Sequence, residues 1–367
     1  MKIIQFTFSL ASGGAERFVV DLCNELARLG HEVHLVVLRD KLDNKNDAHF
    51  NKFLLNENVI YHNLNVKEGF RLSAFTNTIR IIRQLKPDIV HCHSNVIPFI
   101  FPLALCNKRI RFFHTLHNLA EKAVGFKFQK GINRYYYRTN KIRSIAISQI
   151  CNNSYREYYK LNNAVTIDNG RSALTATKYF DATKHEIENY CTSPNFPVFI
   201  HVARFSEQKN QKLLINVFNR LAREGISFIL LVIGSSFDTE EGKQLQENAC
   251  PSIKFLGAKQ NVNDYFLCAD AFCLTSIYEG LPISLLEALS AGCTPICTPV
   301  GGIPDVIRDG ITGYLSDDVS EESYYKAVQR FLNNPGAIDK KVLQNYFNRN
   351  YSIQKCAGEH VSLYIKK

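Results

Sequence analysis

Glu279 and Glu287 stand at the entrance and in the middle of the stretch EGLPISLLEALSAG, residues 279–292. Pro282 suits the first position of a helix, where its missing N–H costs nothing, and Gly292 suits the position just past the end. Between them Ile283, Leu285, Leu286, Ala288, Leu289 and Ala291 are apolar on nearly every face, the pattern of a buried helix. An unpaired carboxylate there would cost on the order of several kcal/mol. Two vicinal hydroxyls, such as a ribose diol, would offset this at about 1.5–3 kcal/mol per charged hydrogen bond. The plainer alternative is that Glu287 touches solvent or a structural lysine. At the same helix start the N–H groups of Gly280, Leu281, Ile283 and Ser284 are candidate donors, which with the helix dipole would favour a phosphate.

The stretch HVARFSEQKN, residues 201–210, places Arg204 just after a predicted strand and Lys209 at the start of the next helix. Arginine clamps diphosphate oxygens in a fork, and lysine acts as a point charge. Singly, such cations are mostly solvated. Two cations, a helix start and two carboxylates on loops of one domain together point to a nucleoside diphosphate carrying a polyol.

The elements that position these residues are legible in the hydrophobic pattern. KIIQFTF, HEVHLVVL, DIVHCHS, RFFHTLH, SIAIS and AVTIDNG read as strands of a first half, with AERFVVDLCNELARLG as an amphipathic helix. The polar stretch 171–197 breaks the rhythm and reads as a linker region. The pattern restarts with VFIHVARF, the helix NQKLLINVFNRLARE, SFILLVIG, SIKFLG, DAFCLTS and TPICTPV. Strands alternating with helices predict a parallel, doubly wound α/β sheet in each half. The expectation is two Rossmann-like domains, 1–170 and 171–350, facing across a cleft, with a last helix over 351–367 packing back on the first. Ligands of such folds bind outside the carboxyl ends of the strands.

The 367 residues suit about two domains, and 46% apolar against 21% charged residues is an ordinary globular balance. Eleven cysteines show no C-x-x-C pair, and Cys92, Cys268, Cys273 and Cys297 lie in apolar strand-like runs. They read as reduced core thiols of a cytoplasmic protein. The N-terminal run is interrupted by Gln5 and Thr7, so a first strand is the better reading than a signal peptide. Val96–Cys106 is too short for the roughly 20 residues of a membrane span. The net charge of +10 permits an anionic partner but selects none.

Other features are weighed against plainer readings. His91, His93, His114 and His117 lack a cysteine or carboxylate spaced to complete a tetrahedral metal set. No D-x-D carboxylate pair, which would hold a divalent metal on a diphosphate, occurs anywhere. No metal or cofactor is therefore expected. The loop S-x-G-G at Gly13–Gly14 is poor evidence for a dinucleotide site, and Asp40 after HLVVLR is the one feature favouring a dehydrogenase. From Lys108 to Arg143 there are ten Lys/Arg and one acid, Glu121, interleaved with Phe112, Phe113, Phe126, Phe128, Tyr135, Tyr136 and Tyr137. That composition suits peripheral contact with the inner face of an anionic membrane, or a polyprenyl-diphosphate acceptor. A solvated helix over core aromatics explains it as well. No recognition motif for nucleic acid accompanies it.

R-x4-K after a strand, followed by E-x7-E running into a helix, resembles the family 4 retaining glycosyltransferases of the GT-B fold. The likeness extends through SGGAER (12–17), DIVHCHS (88–94), HTLHN (114–118), AIS (146–148), DNG (168–170), FLG (255–257) and GITGYL (310–315). The resemblance implies that Glu287 binds the ribose hydroxyls and Glu279 the donor sugar. It implies that Arg204 and Lys209 hold the leaving diphosphate and that His117 lines the sugar. Gly13–Gly14 would let backbone approach the diphosphate. Ala203 stands where a glycine is common, and Arg171–Ser172 replace an expected apolar–Asp pair. The implied activity is metal-independent transfer of a hexose or N-acetylhexosamine from a nucleotide-sugar, expected to be a UDP-sugar. The acceptor would be a saccharide or lipid-linked saccharide in cell-surface polysaccharide synthesis. A sugar-nucleotide epimerase on the same fold and a non-catalytic partner subunit are the alternatives.

Overall fold

The computed structural model describes residues 1–39, 50–67, 72–123, 129–190 and 196–366. Asp40, Phe126 and Phe128 lie outside them. The chain divides into two compact units: Met1–Ser172 with Ile353–Lys367, and Ala173–Ser352.

In unit 1 the apolar runs form β1 (Lys2–Thr7), β2 (Glu32–Val37), β3 (Val59–Asn63), β4 (Ile89–His93), β5 (Arg111–Leu116), β6 (Arg143–Ala146) and β7 (Val165–Thr166). They make one parallel sheet in the order β3-β2-β1-β4-β5-β6-β7. The helix Gly14–Arg28 buries Phe18, Val19, Leu22 and Leu26, residues recurring at helical spacing. The C-terminal helix Ile353–Ile365 packs against it and buries Cys356, Ala357, His360, Leu363 and Tyr364.

Unit 2 contains β8 (Val198–Val202), β9 (Ile229–Ile233), β10 (Ile253–Gly257), β11 (Ala271–Leu274), β12 (Thr294–Cys297) and β13 (Tyr314–Leu315). Their order is β10-β9-β8-β11-β12-β13, again all parallel. In both sheets the order reverses beside the first strand, between β1 and β4 and between β8 and β11. Loops leaving those strands diverge and open the crevice where doubly wound sheets bind ligands.

Several details differ from the sequence pattern. The 171–197 stretch is not only a linker: it contains the helix Phe180–Tyr190, which buries Thr183 and Ile187. Arg171, expected to be polar linker, is 1% exposed and ion-paired to Asp21 on the Gly14–Arg28 helix, Nη1 to Oδ2 at 2.5 Å. Ser172 N–H donates to the same carboxylate. Cys268 ends the helix Val262–Cys268 rather than lying in a strand. Of the aromatics between 108 and 143, Phe112, Phe113, Tyr136 and Tyr137 are core residues. The phenylalanines sit on central strand β5, and the two tyrosines face inward from the helix Gln129–Arg138. Tyr135 and Ile132 remain exposed on that helix. Among the described residues no helix is long and apolar enough to cross a membrane, and the described cysteines are all unpaired thiols.

Candidate active site

Arg204 and Lys209 follow β8, and Glu279 follows β11, the two strands that flank the switch point of the unit 2 sheet. The two loops are stitched together by short-range contacts. Ile277 N–H donates to Gln208 O at 2.8 Å, Thr275 Oγ1 to Lys209 O at 3.0 Å, and Gln208 Nε2 to Tyr278 O at 3.0 Å. The result brings Lys209 Nζ to 2.5 Å from Glu279 Oε1. Ser276 Oγ donates to the same oxygen at 2.6 Å. Lys209 and Glu279 side chains are 18% and 7% exposed, so the pair sits where water screens it poorly.

Lys209 lies in the single turn Glu207–Lys209, one residue before the helix Gln211–Arg223, and Asn210 takes a left-handed conformation between them. Arg204 is exposed, and its guanidinium makes no hydrogen bond or ion pair among the described residues. Its backbone is fixed instead. Gln211 Nε2 donates to Arg204 O at 3.0 Å and lies 3.3 Å from His201 Nε2. His201 Nδ1 must carry a proton to donate to Cys273 O at 2.9 Å, so a neutral ring accepts at Nε2. Burial, ahead of the nearby Lys209 charge, holds this imidazole down to about 4, which keeps it neutral.

Pro282 is the N-cap of the helix Ile283–Ala291 rather than its first residue, with ψ of 126°. The helix thus starts one residue later than its sequence suggests, since extended backbone at Pro282 is what lets the loop turn into the helix. Gly292 closes it in the left-handed region, φ 74°. No side chain caps the start. The N–H groups of Gly280, Ile283 and Ser284 find no acceptor among the described residues, so the helix start presents unsatisfied donors. Leu281 is buried and engaged elsewhere. Glu287, one turn beyond Ile283, is 6% exposed and also engaged.

Two glycines not singled out in the sequence shape these loops. A Cβ on Gly301, whose φ is +57°, would meet Glu279 O at 1.9 Å, and one on Gly234 would meet Ala203 O at 1.9 Å. Gly302 N–H donates to Gly280 O at 2.8 Å. The loops after β9 and β12 therefore buttress the backbone of the residues flanking Arg204 and Glu279. The pair Gly301–Gly302 directly after an apolar strand was the available signal. Gln208 had none, because its contacts with Tyr278 and Glu279 span about 70 residues, whereas Ser276 stands only three residues before Glu279 and its hydroxyl carries no signal of its own.

The remaining sequence candidates lie in unit 1. Gly13 is the uncapped N-cap of the Gly14–Arg28 helix, and Gly14 is its first residue. The space over Gly13 is filled by the Glu16 carboxylate, whose Oε2 lies 2.1 Å from where a Cβ would stand. His117 follows β5 and is half-buried, Nε2 3.0 Å from His93 Nδ1. His114 turns away, toward Tyr137 Oη and Ser94 O. Among the described residues no three or more His, Cys, Asp or Glu are arranged to hold a metal.

Comparison with known proteins gives this geometry a family. The model for Glycosyltransferase Family 4 matches residues 12–173, and that for Glycosyl transferases group 1 matches residues 185–350. An uncharacterized glycosyltransferase of Haemophilus influenzae is 23% identical, covering 98% of each chain. The capsular polysaccharide biosynthesis glycosyltransferase CapH of Staphylococcus aureus is 25% identical over 82% of each. The structure of Anabaena HepE in complex with UDP and glucose superposes with a TM-score of 0.80 at 15% identity, covering 99% of each chain, a likeness of fold. With one model on each unit and two parallel sheets of the doubly wound order, the chain belongs to the family 4 glycosyltransferases, enzymes of the GT-B fold.

Proposed function

We propose that this glycosyltransferase moves a hexose or N-acetylhexosamine, with retention, from a UDP-sugar to a saccharide or lipid-linked saccharide acceptor in cell-surface polysaccharide synthesis. The observation that carries the reading is the Lys209–Glu279 pair beside a helix start with unsatisfied N–H donors. Cation and amide dipoles suit a diphosphate, and a carboxylate within reach suits a sugar hydroxyl. The relatives support the donor and the pathway: HepE binds UDP and glucose, and CapH serves capsule synthesis.

In this reading unit 2 binds the donor and unit 1 the acceptor. Arg204, Lys209 and the N–H groups at Gly280 and Ile283 hold the diphosphate, and Glu287 takes the ribose hydroxyls. As the bond to the sugar breaks, charge accumulates on the departing phosphate while the sugar becomes oxocarbenium-like. Fixed cations and dipoles stabilise that charge without reorganising. Glu279 and His117 orient the sugar, and Gly13–Gly14 offer close backbone approach once the Glu16 carboxylate moves aside. The departing phosphate accepts the acceptor's proton. No divalent metal takes part, so EDTA leaves the rate unchanged; strong inhibition reversed by Mn²⁺ would overturn that.

The exposed face of the helix Gln129–Arg138 carries Ile132, Tyr135 and Arg138, which suits an anionic membrane surface on the cytoplasmic side or a polyprenyl-diphosphate acceptor. A thermal-shift series with UDP, GDP, ADP and their sugars tests the donor, because a ligand of the folded state raises the melting temperature by mass action. UDP and a UDP-sugar should give the largest shifts. A silent UDP series with a clear GDP or ADP response would overturn the donor assignment.

A further inference from the structure

One face of the unit 1 sheet carries an unbroken line of polar side chains where apolar ones would pack. Gln5 on β1, His91 and His93 on β4 and Thr115 on β5 are each at most 1% exposed, as is Tyr364 on the C-terminal helix. Neighbouring strands are in register, Gln5 opposite His91 and His93 opposite Thr115. Buried polar groups are tolerated when satisfied, and these satisfy one another in a continuous chain.

The chemistry of each group fixes the direction of the chain. Gln5 Oε1 can only accept, so His93 Nε2, at 2.6 Å, carries a proton. Burial, reinforced by the neighbouring rings, holds His93 well below the usual imidazole range, so the ring is neutral and its Nδ1 is an acceptor. His117 Nε2, 3.0 Å away, must then be the donor. Burial likewise pushes His117 down, so its second nitrogen, Nδ1, carries no proton. That nitrogen has no partner among the described residues.

The other end is anchored as firmly. Gln5 Nε2 donates to Tyr364 Oη at 3.2 Å, which leaves the phenolic proton for His91 Nδ1 at 2.6 Å. His91 Nε2–H in turn donates to Thr115 Oγ1 at 2.7 Å. Burial raises the Tyr364 phenol, so it stays a donor. Were the Gln5 amide reversed, every bond would reverse, and His117 would present N–H outward instead of a lone pair.

We propose that Tyr364, Gln5 and His93 are positioning residues that hold His117 in the tautomer protonated at Nε2, so that its Nδ1 accepts a hydrogen bond from a hydroxyl of the donor sugar. The proposal rests on the reading that His117 touches that sugar. It ties the last helix of the chain, 359 residues from Gln5, to recognition of the donor. Phe18 packs its ring edge-on to His93 and His117, centroids 6.1 and 5.5 Å apart, and keeps both imidazoles from rotating.

The test uses calorimetry with UDP and with UDP-glucose and UDP-N-acetylglucosamine, taking whichever sugar binds more tightly. His117→Ala and Tyr364→Phe should each weaken the UDP-sugar about three- to tenfold, the scale of one neutral hydrogen bond, and leave UDP unchanged. Both variants lie in unit 1, so an unchanged urea-unfolding midpoint of that unit reports an intact fold. The double variant should be no worse than His117→Ala alone. Nitrogen NMR of the wild-type protein should show His117 Nδ1 unprotonated, and Tyr364→Phe should disturb that signature. A protonated Nδ1 in the wild type, or additive losses in the double variant, would overturn the positioning proposal while leaving a sugar contact intact. UDP-sugar affinity unaffected by His117→Ala would instead remove the contact itself, and the proposal with it.

Discussion

Lys209 Nζ lies 2.5 Å from Glu279 Oε1, so the cation assigned to the diphosphate and the carboxylate assigned to the sugar neutralise each other in the free protein. A diphosphate arriving at Lys209 competes for the ammonium group. Ser276 and Gln208, which also reach the Glu279 carboxylate at 2.6 and 3.5 Å, then keep it in place for the sugar. Lys209→Ala should weaken UDP about ten- to a hundredfold, the worth of a charged hydrogen bond. Glu279→Gln should bind UDP as well as the parent or better, because the lysine is released, yet lose transfer. Calorimetry with UDP separates the two, and a large loss of UDP affinity in Glu279→Gln would place that carboxylate on the nucleotide.

Glu287 sits one turn inside the helix Ile283–Ala291, 6% exposed among leucines and alanines. If it receives the ribose hydroxyls, Glu287→Ala should cost UDP about tenfold or more while barely changing the affinity for 2′,3′-dideoxy-UDP. Equal losses for both nucleotides would assign the carboxylate a purely structural task.

Gly301 has a left-handed backbone, and a Cβ there would stand 1.9 Å from Glu279 O. Gly301→Ala should destabilise the protein by about 1–3 kcal/mol and shift the Glu279 backbone. UDP-sugar turnover should fall well beyond any loss of UDP affinity. Gly336, with open space around its Cα, is the matched control, and Gly336→Ala should leave both unchanged.

What the sequence revealed and what it hid follow from sequence distance. Strands such as β9 and β11 announce themselves because a central parallel strand is apolar on both faces. β3, with the half-exposed pattern of Val59–Asn63 at the sheet edge, carries no such run. The types and order of Arg204, Lys209, Glu279 and Glu287 were visible, because the first three stand on loops after two apolar strands, β8 and β11, that neighbour each other in the sheet, and Glu287 interrupts the apolar helix that follows. Their buttresses were not. Arg171 read as a polar linker residue, since nothing near it in the chain indicates Asp21, 150 residues away.

That buried ion pair makes its own prediction. Arg171→Ala leaves the Asp21 carboxylate, 5% exposed, with Arg17 at 3.6 Å as its one remaining cation among the described residues. Loss of one partner of a buried pair should cost about 3–5 kcal/mol in urea unfolding of unit 1. Replacing both, Arg171→Met with Asp21→Leu, should recover most of that. A double variant as unstable as the single would show that the pair holds its surroundings rather than merely compensating for its own burial.

Acid should destabilise the fold through its buried imidazoles. Burial holds His114, His201 and His360 down to about 4. In the unfolded chain each titrates near 6.5, so between the two values the unfolded state binds more protons and stability falls as pH falls. The loss begins near pH 6.5, reaches about 2 kcal/mol per ring at pH 5, and levels off below pH 4. Two of the three rings, His114 and His360, belong to unit 1, and one, His201, to unit 2. Unit 1 should therefore lose the larger share. Denaturant melts at pH 7, 6 and 5 should show the midpoint falling over a range in which few carboxylates titrate. A His360→Gln variant should show a shallower fall than the parent. An unchanged midpoint from pH 7 to 5 would mean that these rings take up protons without unfolding.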